Sequence, residues 1–239
     1  MRNLVLLICL LLPAVAYSCQ LKVRLEHFQP QSVKHDEQLW QGVDYEMINT
    51  FLRRAKCDYD IIEIPWIRSL DMLVKGEIDV MMNVTKTPRR ERSFHFIGPI
   101  SREVIVFASN EALVLNTIQD LVKLDRPIAI QRGAFYGEEM DKLINNPIYQ
   151  HFFLRVTDND KKLKLLRTGR ISGYLEAKRN LTLGPEQGSR YEGVFINPLV
   201  IHETNIYFAL SKKSVDEPLY LYLEKTYQKL AAEGFFQRH

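Results

Sequence analysis

Cysteine is scarce in this chain of 239 residues, which carries only Cys9, Cys19 and Cys57. Histidine is thinly spread as well, six residues in all, and no Cys or His group has the spacing of metal ligands. A metal centre is therefore not expected, and no cofactor is called for. An excess of one charge is also lacking: 32 Lys and Arg face 29 Asp and Glu, a formal +3 with no basic block. That balance gives no support to nucleic-acid binding. Beyond residue 16 no apolar run is long enough to cross a bilayer. No low-complexity linker separates the two halves.

What is present begins at the N-terminus. Arg2 precedes an apolar run over residues 4–16 that contains Pro13, and Ala16-Tyr17-Ser18 ends it with small residues. The pattern predicts a secretory signal peptide over residues 1–18, cut after Ser18 or after Ala16, and a periplasmic protein. A lipid anchor on Cys19 is the rival reading, because Cys19 would directly follow the cut. The exported chain keeps Cys19 and Cys57, and two cysteines in an oxidising compartment are expected to pair. Each precedes a predicted strand (21–28 and 59–64), so parallel pairing of those strands would bring the thiols to one sheet end.

The following residues alternate strand and helix. After strand 21–28, Asp44 is expected to cap a helix reaching about residue 56, with Met47, Ile48, Phe51, Leu52 and Ala55 on one face. Strand 59–64, helix 67–75 stopped by Gly76, and strand 78–82 follow. A second series comprises strand 104–108, helix 117–124, strand 127–130, helix 136–145, strand 152–157, helix 160–168 and strand 171–175. Strand 205–211 and an Asp216-capped helix to about residue 233 close the chain. Strands and helices in strict alternation predict parallel sheets flanked by helices.

The segment from Gly76 to Arg92 carries the strongest chemical signal. Thr87 and Pro88 suit the cap and first position of a short helix. Arg89, Arg90 and Arg92 then crowd its first turn, where the helix dipole is already positive and each exposed cation costs roughly 0.3–1 kcal/mol. A carboxylate or phosphate would relieve that cost; solvated surface arginines beside Glu91 are the alternative.

Taken in order, Gly42-Val43-Asp44-Tyr45-Glu46, Leu73-Val74-Lys75-Gly76-Glu77-Ile78-Asp79, Thr85-Lys86-Thr87-Pro88-Arg89-Arg90, Phe96-Ile97-Gly98-Pro99, Gln131-Arg132-Gly133 and Gly169-Arg170-Ile171 resemble the bacterial solute-binding proteins of family 3, the type II periplasmic binding proteins. The resemblance spans nearly all of the exported chain. It implies an α/β fold of two lobes, each a mainly parallel sheet flanked by helices, joined by two crossover strands. Lobe I would comprise residues 19–108 plus 200–239 and lobe II residues 109–199, with ligand bound between them.

The same resemblance implies site roles. Arg90 matches the family arginine that grips a ligand carboxylate, and Thr85 the hydroxyl five residues before it. Asn83 takes a neighbouring position, Phe28 the aromatic over the ligand, Trp66 the cleft mouth, and Tyr136 the second wall; Tyr174 is read as core or wall. Two departures concern lobe II. Ala134 replaces the usual Thr after the Gln131-Arg132-Gly133 turn, and Ala177 replaces the Asp that holds an α-ammonium. Glu176 stands one residue away and is the nearest available carboxylate.

The expected function is capture of a small polar, carboxylate-bearing solute, an amino acid or a relative, by a monomer serving an inner-membrane ABC permease. A sensing module for a separate signalling partner is the alternative. A dehydratase-like enzyme on the same fold would need two cleft carboxylates as acid and base, and only Glu176 presents itself. The chain is therefore read as a binding protein and not an enzyme.

Overall fold

The computed structural model describes residues 19–36, 39–182 and 190–238. The expected signal peptide lies outside the described residues. The elements, in chain order, are β1 (Gln20–Leu25), β2 (Val33–Lys34), β3 (Trp40–Gln41), α1 (Val43–Arg54), β4 (Asp58–Glu63), α2 (Trp66–Lys75), β5 (Val80–Thr85) and α3 (Pro88–Glu91). They continue with β6 (Phe94–Ser109), β7 (Ile128–Gln131), α4 (Glu138–Asn145), β8 (Phe153–Val156), α5 (Asn159–Arg167), β9 (Gly173–Ala177), α6 (Lys178–Thr182), β10 (Phe195–Ser211) and α7 (Glu217–Ala232).

Eight strands form one sheet in the order β4-β1-β5-β10-β6-β9-β7-β8. At one end β1 pairs in parallel with β4 and β5; at the other β7 pairs in parallel with β8 and β9. The antiparallel pair β6 and β10 joins them. These two strands are far longer than the segments 104–108 and 205–211 predicted for them. Gly98-Pro99 and Asn197-Pro198 interrupt the sequence pattern of a strand, and the backbone absorbs them at register shifts rather than ending the strand. The fold is thus two lobes joined by two crossover strands.

Each lobe has its own core. In lobe I, alternation along β1 buries Leu21, Val23 and Leu25, and α1 lays Met47, Ile48, Phe51 and Leu52 against them. Phe51 stacks on Phe208 of β10 with ring centroids 4.7 Å apart. Helix α2 stops at Gly76, whose φ of 74° lets the N–H groups of Gly76 and Glu77 turn back to the carbonyls of Leu73 and Met72. Lobe II packs Phe107, Leu121, Ile128 and Leu175 on one side and Tyr174 with Leu166 on the other. The segment predicted as helix 117–124 is a short 3-10 turn over residues 118–123, fixed by the reciprocal cap of Thr117 and Asp120.

The parallel pairing of β1 with β4 brings Cys19 and Cys57 to the same sheet end, where they form a disulfide with Cα atoms 4.6 Å apart. Asp44 is not the cap of α1. That position belongs to Gly42, at φ 107°, and a Cβ there would stand 2.5 Å from the Gln31 carbonyl oxygen. The same carbonyl accepts the Asp44 N–H at 2.8 Å. The close approach frees the Asp44 side chain to point away from the helix end.

Candidate functional site

A cavity of about 120 Å³ lies between the lobes. Arg90, Thr85, Asn83, Phe28, Trp66, Glu176 and Tyr136 all line it, as do the departures Ala134 and Ala177. A wider groove of about 830 Å³ opens on the far side of Arg90 and carries Arg89, Arg92, Arg132 and Arg155. We place the candidate site in the smaller cavity because buried polar atoms without partners gather there and none borders the groove.

Arg90 is positioned by α3. Thr87 caps this single turn, its hydroxyl oxygen accepting the Arg90 N–H at 3.3 Å, with Pro88 at the first helical position. The guanidinium reaches back to the end of β5, the strand that precedes the helix. It donates to the Thr85 carbonyl at 2.8 Å and, across the cleft, to the Gly133 carbonyl at 3.0 Å. Burial pulls its pKa down to about 10, against the favourable fields of Asp141 and Glu103. Arg89 and Arg92 are exposed. Gly133 permits this crossing, since at φ 82° a Cβ would sit 2.7 Å from Ile67 Cδ1 of α2.

Four acidic and four basic side chains line the cavity, and most pair with one another. Arg24 pairs with Glu26. Lys162 of α5, 1 % exposed, meets Glu176 at 2.9 Å and donates also to the Leu175 carbonyl at 3.0 Å. Arg179 of α6 reaches Asp44 of α1 at 3.4 Å, the ion pair that crosses between lobes. Arg90 and Glu103 remain, and neither has an ion-pair partner among the described residues. Glu103 stands on β6, and burial pushes its carboxyl up to about 7, helped by Glu176 and Asp44 and opposed by Arg179 and Arg90.

Glu176 is therefore not a free carboxylate. Besides Lys162, it accepts from Asn180 Nδ2 at 2.8 Å and the Ala177 N–H at 3.0 Å. The Tyr136 hydroxyl is occupied by the Gln131 N–H at 2.8 Å and is buried, which raises its pKa. Tyr136 thus holds the β7 turn and offers the cavity its ring. Tyr174 belongs to the lobe II core and does not border the cavity. Asn83, in the left-handed region at φ 61°, donates to Asp44 at 2.6 Å. Trp66 lies under the Arg24 guanidinium at 5.6 Å and Phe28 under that of Arg190 at 5.9 Å.

Gln31 Nε2 and Oε1, Trp66 Nε1, Asn83 Oδ1, Asn159 Oδ1 and Arg179 Nε are buried without hydrogen-bond partners, and all five residues line the cavity. Donors and acceptors alike are left for a polar guest. Gln31, Asp44, Glu103, Lys162 and Arg179 escaped the sequence reading. The loss of the lobe II Asp was the available signal, because it asks where a compensating carboxylate stands. Among the described residues no cluster is placed to hold a metal, and no helix is long and apolar enough to cross a membrane.

Solved structures with this architecture include arginine-binding proteins and a sensor domain. An ancestral arginine-binding protein bound to arginine has a TM-score of 0.76 at 16% identity, over 92% of this chain and 95% of that one. The holo form of ArgBP from T. maritima has a TM-score of 0.73 at 19% identity, over 89% and 90%. A histidine kinase sensor domain with similarity to periplasmic binding proteins has a TM-score of 0.76 at 14% identity, over 93% of each chain. No curated protein sequence matches this one. The family model that matches over residues 21–238, nearly the whole described chain, places this protein among the bacterial extracellular solute-binding proteins, family 3.

Proposed function

We propose that this protein captures a small, carboxylate-bearing polar solute, an amino acid or a relative, between lobes bounded at residues 19–108 plus 200–239 and 109–199, and delivers it to an ABC-type permease. In this reading it is exported by the N-terminal signal peptide to the periplasm, acts as a monomer and does no chemistry on its guest. The observation that carries it is Arg90: a half-buried guanidinium without a carboxylate partner among the described residues, held by one carbonyl from each lobe. A ligand carboxylate offers charge-assisted, bidentate bonds in place of neutral ones. The orphaned polar atoms around it favour a polar guest, and the Cys19–Cys57 bridge suits an oxidising compartment.

The test is a thermal-shift and calorimetric screen of amino acids, dicarboxylates, polyamines and aromatic acids. A solute at 100 times its dissociation constant stabilises by about 2.7 kcal/mol, or about 5–10 °C in a protein of this size. R90A is expected to weaken the strongest hit about 100-fold or more. Unchanged affinity in R90A would overturn the carboxylate role.

The sensor-domain neighbour favours a second reading, signalling through a separate partner. Loss of labelled-solute uptake on deletion of the gene supports transport; intact uptake with a lost transcriptional response supports sensing. Glu176, the carboxylate the sequence offers for dehydratase chemistry, is held by Lys162 and Asn180, and product formation from a bound solute would support the enzyme reading.

A further inference from the structure

The cleft's charges pair off as Arg24 with Glu26, Lys162 with Glu176 and Arg179 with Asp44, leaving one cation and one anion over. The cation is Arg90. The anion is Glu103, which feels the charges of Asp44 of α1, Arg90 of α3, Glu176 of β9 and Arg179 of α6 and shares the cavity lining with Tyr136, Lys162, Arg24 and Glu26. Among the described residues lining the cavity, Glu176 is the one carboxylate of lobe II, and the tethered ammonium of Lys162 already fills it; Ala177 carries none. Unpartnered acceptors on Gln31, Asn83 and Asn159 line the same cavity, and Gln31 is 1 % exposed. They call for N–H donors on the guest.

We propose that Glu103, on the connecting strand β6, receives the cationic amine of the solute and so makes the cleft select zwitterions whose carboxylate goes to Arg90. The proposal rests on the reading of this cavity as the solute site. It puts the cation's partner on a strand shared by both lobes rather than on the closing wall. A cavity of about 120 Å³, well below the roughly 300–1,000 Å³ of drug-sized sites, suits a compact guest. Burial of Glu103 supplies a second consequence. Its carboxyl is partly protonated near neutrality, and an arriving ammonium expels that proton to the solvent.

Calorimetry on the purified protein tests this with three matched probe sets: amino acids, the corresponding acids without the amine, and the corresponding amines without the carboxylate. The wild type is expected to bind at least one amino acid. E103Q should bind it at least about 30-fold more weakly, and E103D should recover part of the loss. The deaminated acid should bind the wild type and E103Q within about threefold of each other. Titrations at pH 7 in buffers of different ionisation enthalpy should show net proton release by the wild type and none by E103Q.

Equal affinity of E103Q and the wild type for the amino acid overturns the proposal, as does tighter binding of the deaminated acid than of the amino acid. If R90A loses binding while E103Q keeps it, the proposal falls and the cleft reading stands. If neither variant changes binding, or no probe binds, both fall.

Discussion

Replacing Glu103 by Gln is expected to stabilise the unliganded protein above neutral pH and to leave it unchanged near pH 4. In the folded chain burial lifts this carboxyl from an ordinary 4.5 to about 7. The folded state therefore holds a proton that the unfolded state has released between those values. Its favourable contribution is complete below about pH 4.5 and is lost as pH rises through 7. At about 1.4 kcal/mol per pH unit the full shift corresponds to about 3 kcal/mol. Glu103 keeps some solvent access, and water screens part of the effect, leaving about 1–3 kcal/mol.

Urea unfolding followed by circular dichroism at pH 4, 6 and 8 measures it, with the two proteins compared at each pH so that other titrating groups cancel. The stability difference should grow with pH in favour of E103Q and level off above 7. A variant less stable than the wild type at pH 8, or a difference independent of pH, would show that Glu103 is already satisfied in the empty cleft. Its assignment as a waiting carboxylate would then be wrong.

Two further predictions concern the scaffold of the site. K162M should cost about 3–5 kcal/mol in urea unfolding at pH 8, because it strands the buried Glu176; adding E176L should recover most of it, and a single-variant loss below about 1 kcal/mol would contradict the pairing. Reducing Cys19–Cys57, which closes a loop of sequence separation 38, should cost about 4 kcal/mol, seen as a lower melting temperature in dithiothreitol and refuted by an unchanged one with both thiols titrated free.

The alternation of strand and helix was legible because each element buries one face, as in β1 and α1. Thr87-Pro88 announced α3, and the excess positive charge at its start asked for an anionic partner, with the family resemblance singling out Arg90. Other features depend on distant parts of the chain. Asp44 looked like a cap, and only the approach of Gln31 to Gly42 shows that the cap lies two residues earlier. Lys162 sits in a run of lysines that reads as a solvated helix face; its burial follows from the placement of α5 against β9. Glu103 follows Ser101 and Arg102 in what looks like polar strand sequence, and its isolation emerges once its neighbours are seen paired with one another. The carboxylate nearest the expected position, Glu176, was found by proximity in sequence and proves occupied by a lysine fourteen residues before it.

The bond from Arg90 to the Gly133 carbonyl has a kinetic meaning. In the reading proposed for the cleft, the guanidinium that would meet a solute's carboxylate is already bonded to the opposite lobe, so the Gly133 carbonyl competes with the guest for it. On that reading a solute carboxylate would bind only where this bond has broken, and its apparent affinity would be scaled by the fraction of molecules in which it has. At high solute concentration the capture rate would then level off at the rate at which the bond breaks. The proposed capture rate would then be set by the strength of a bond the protein makes to itself.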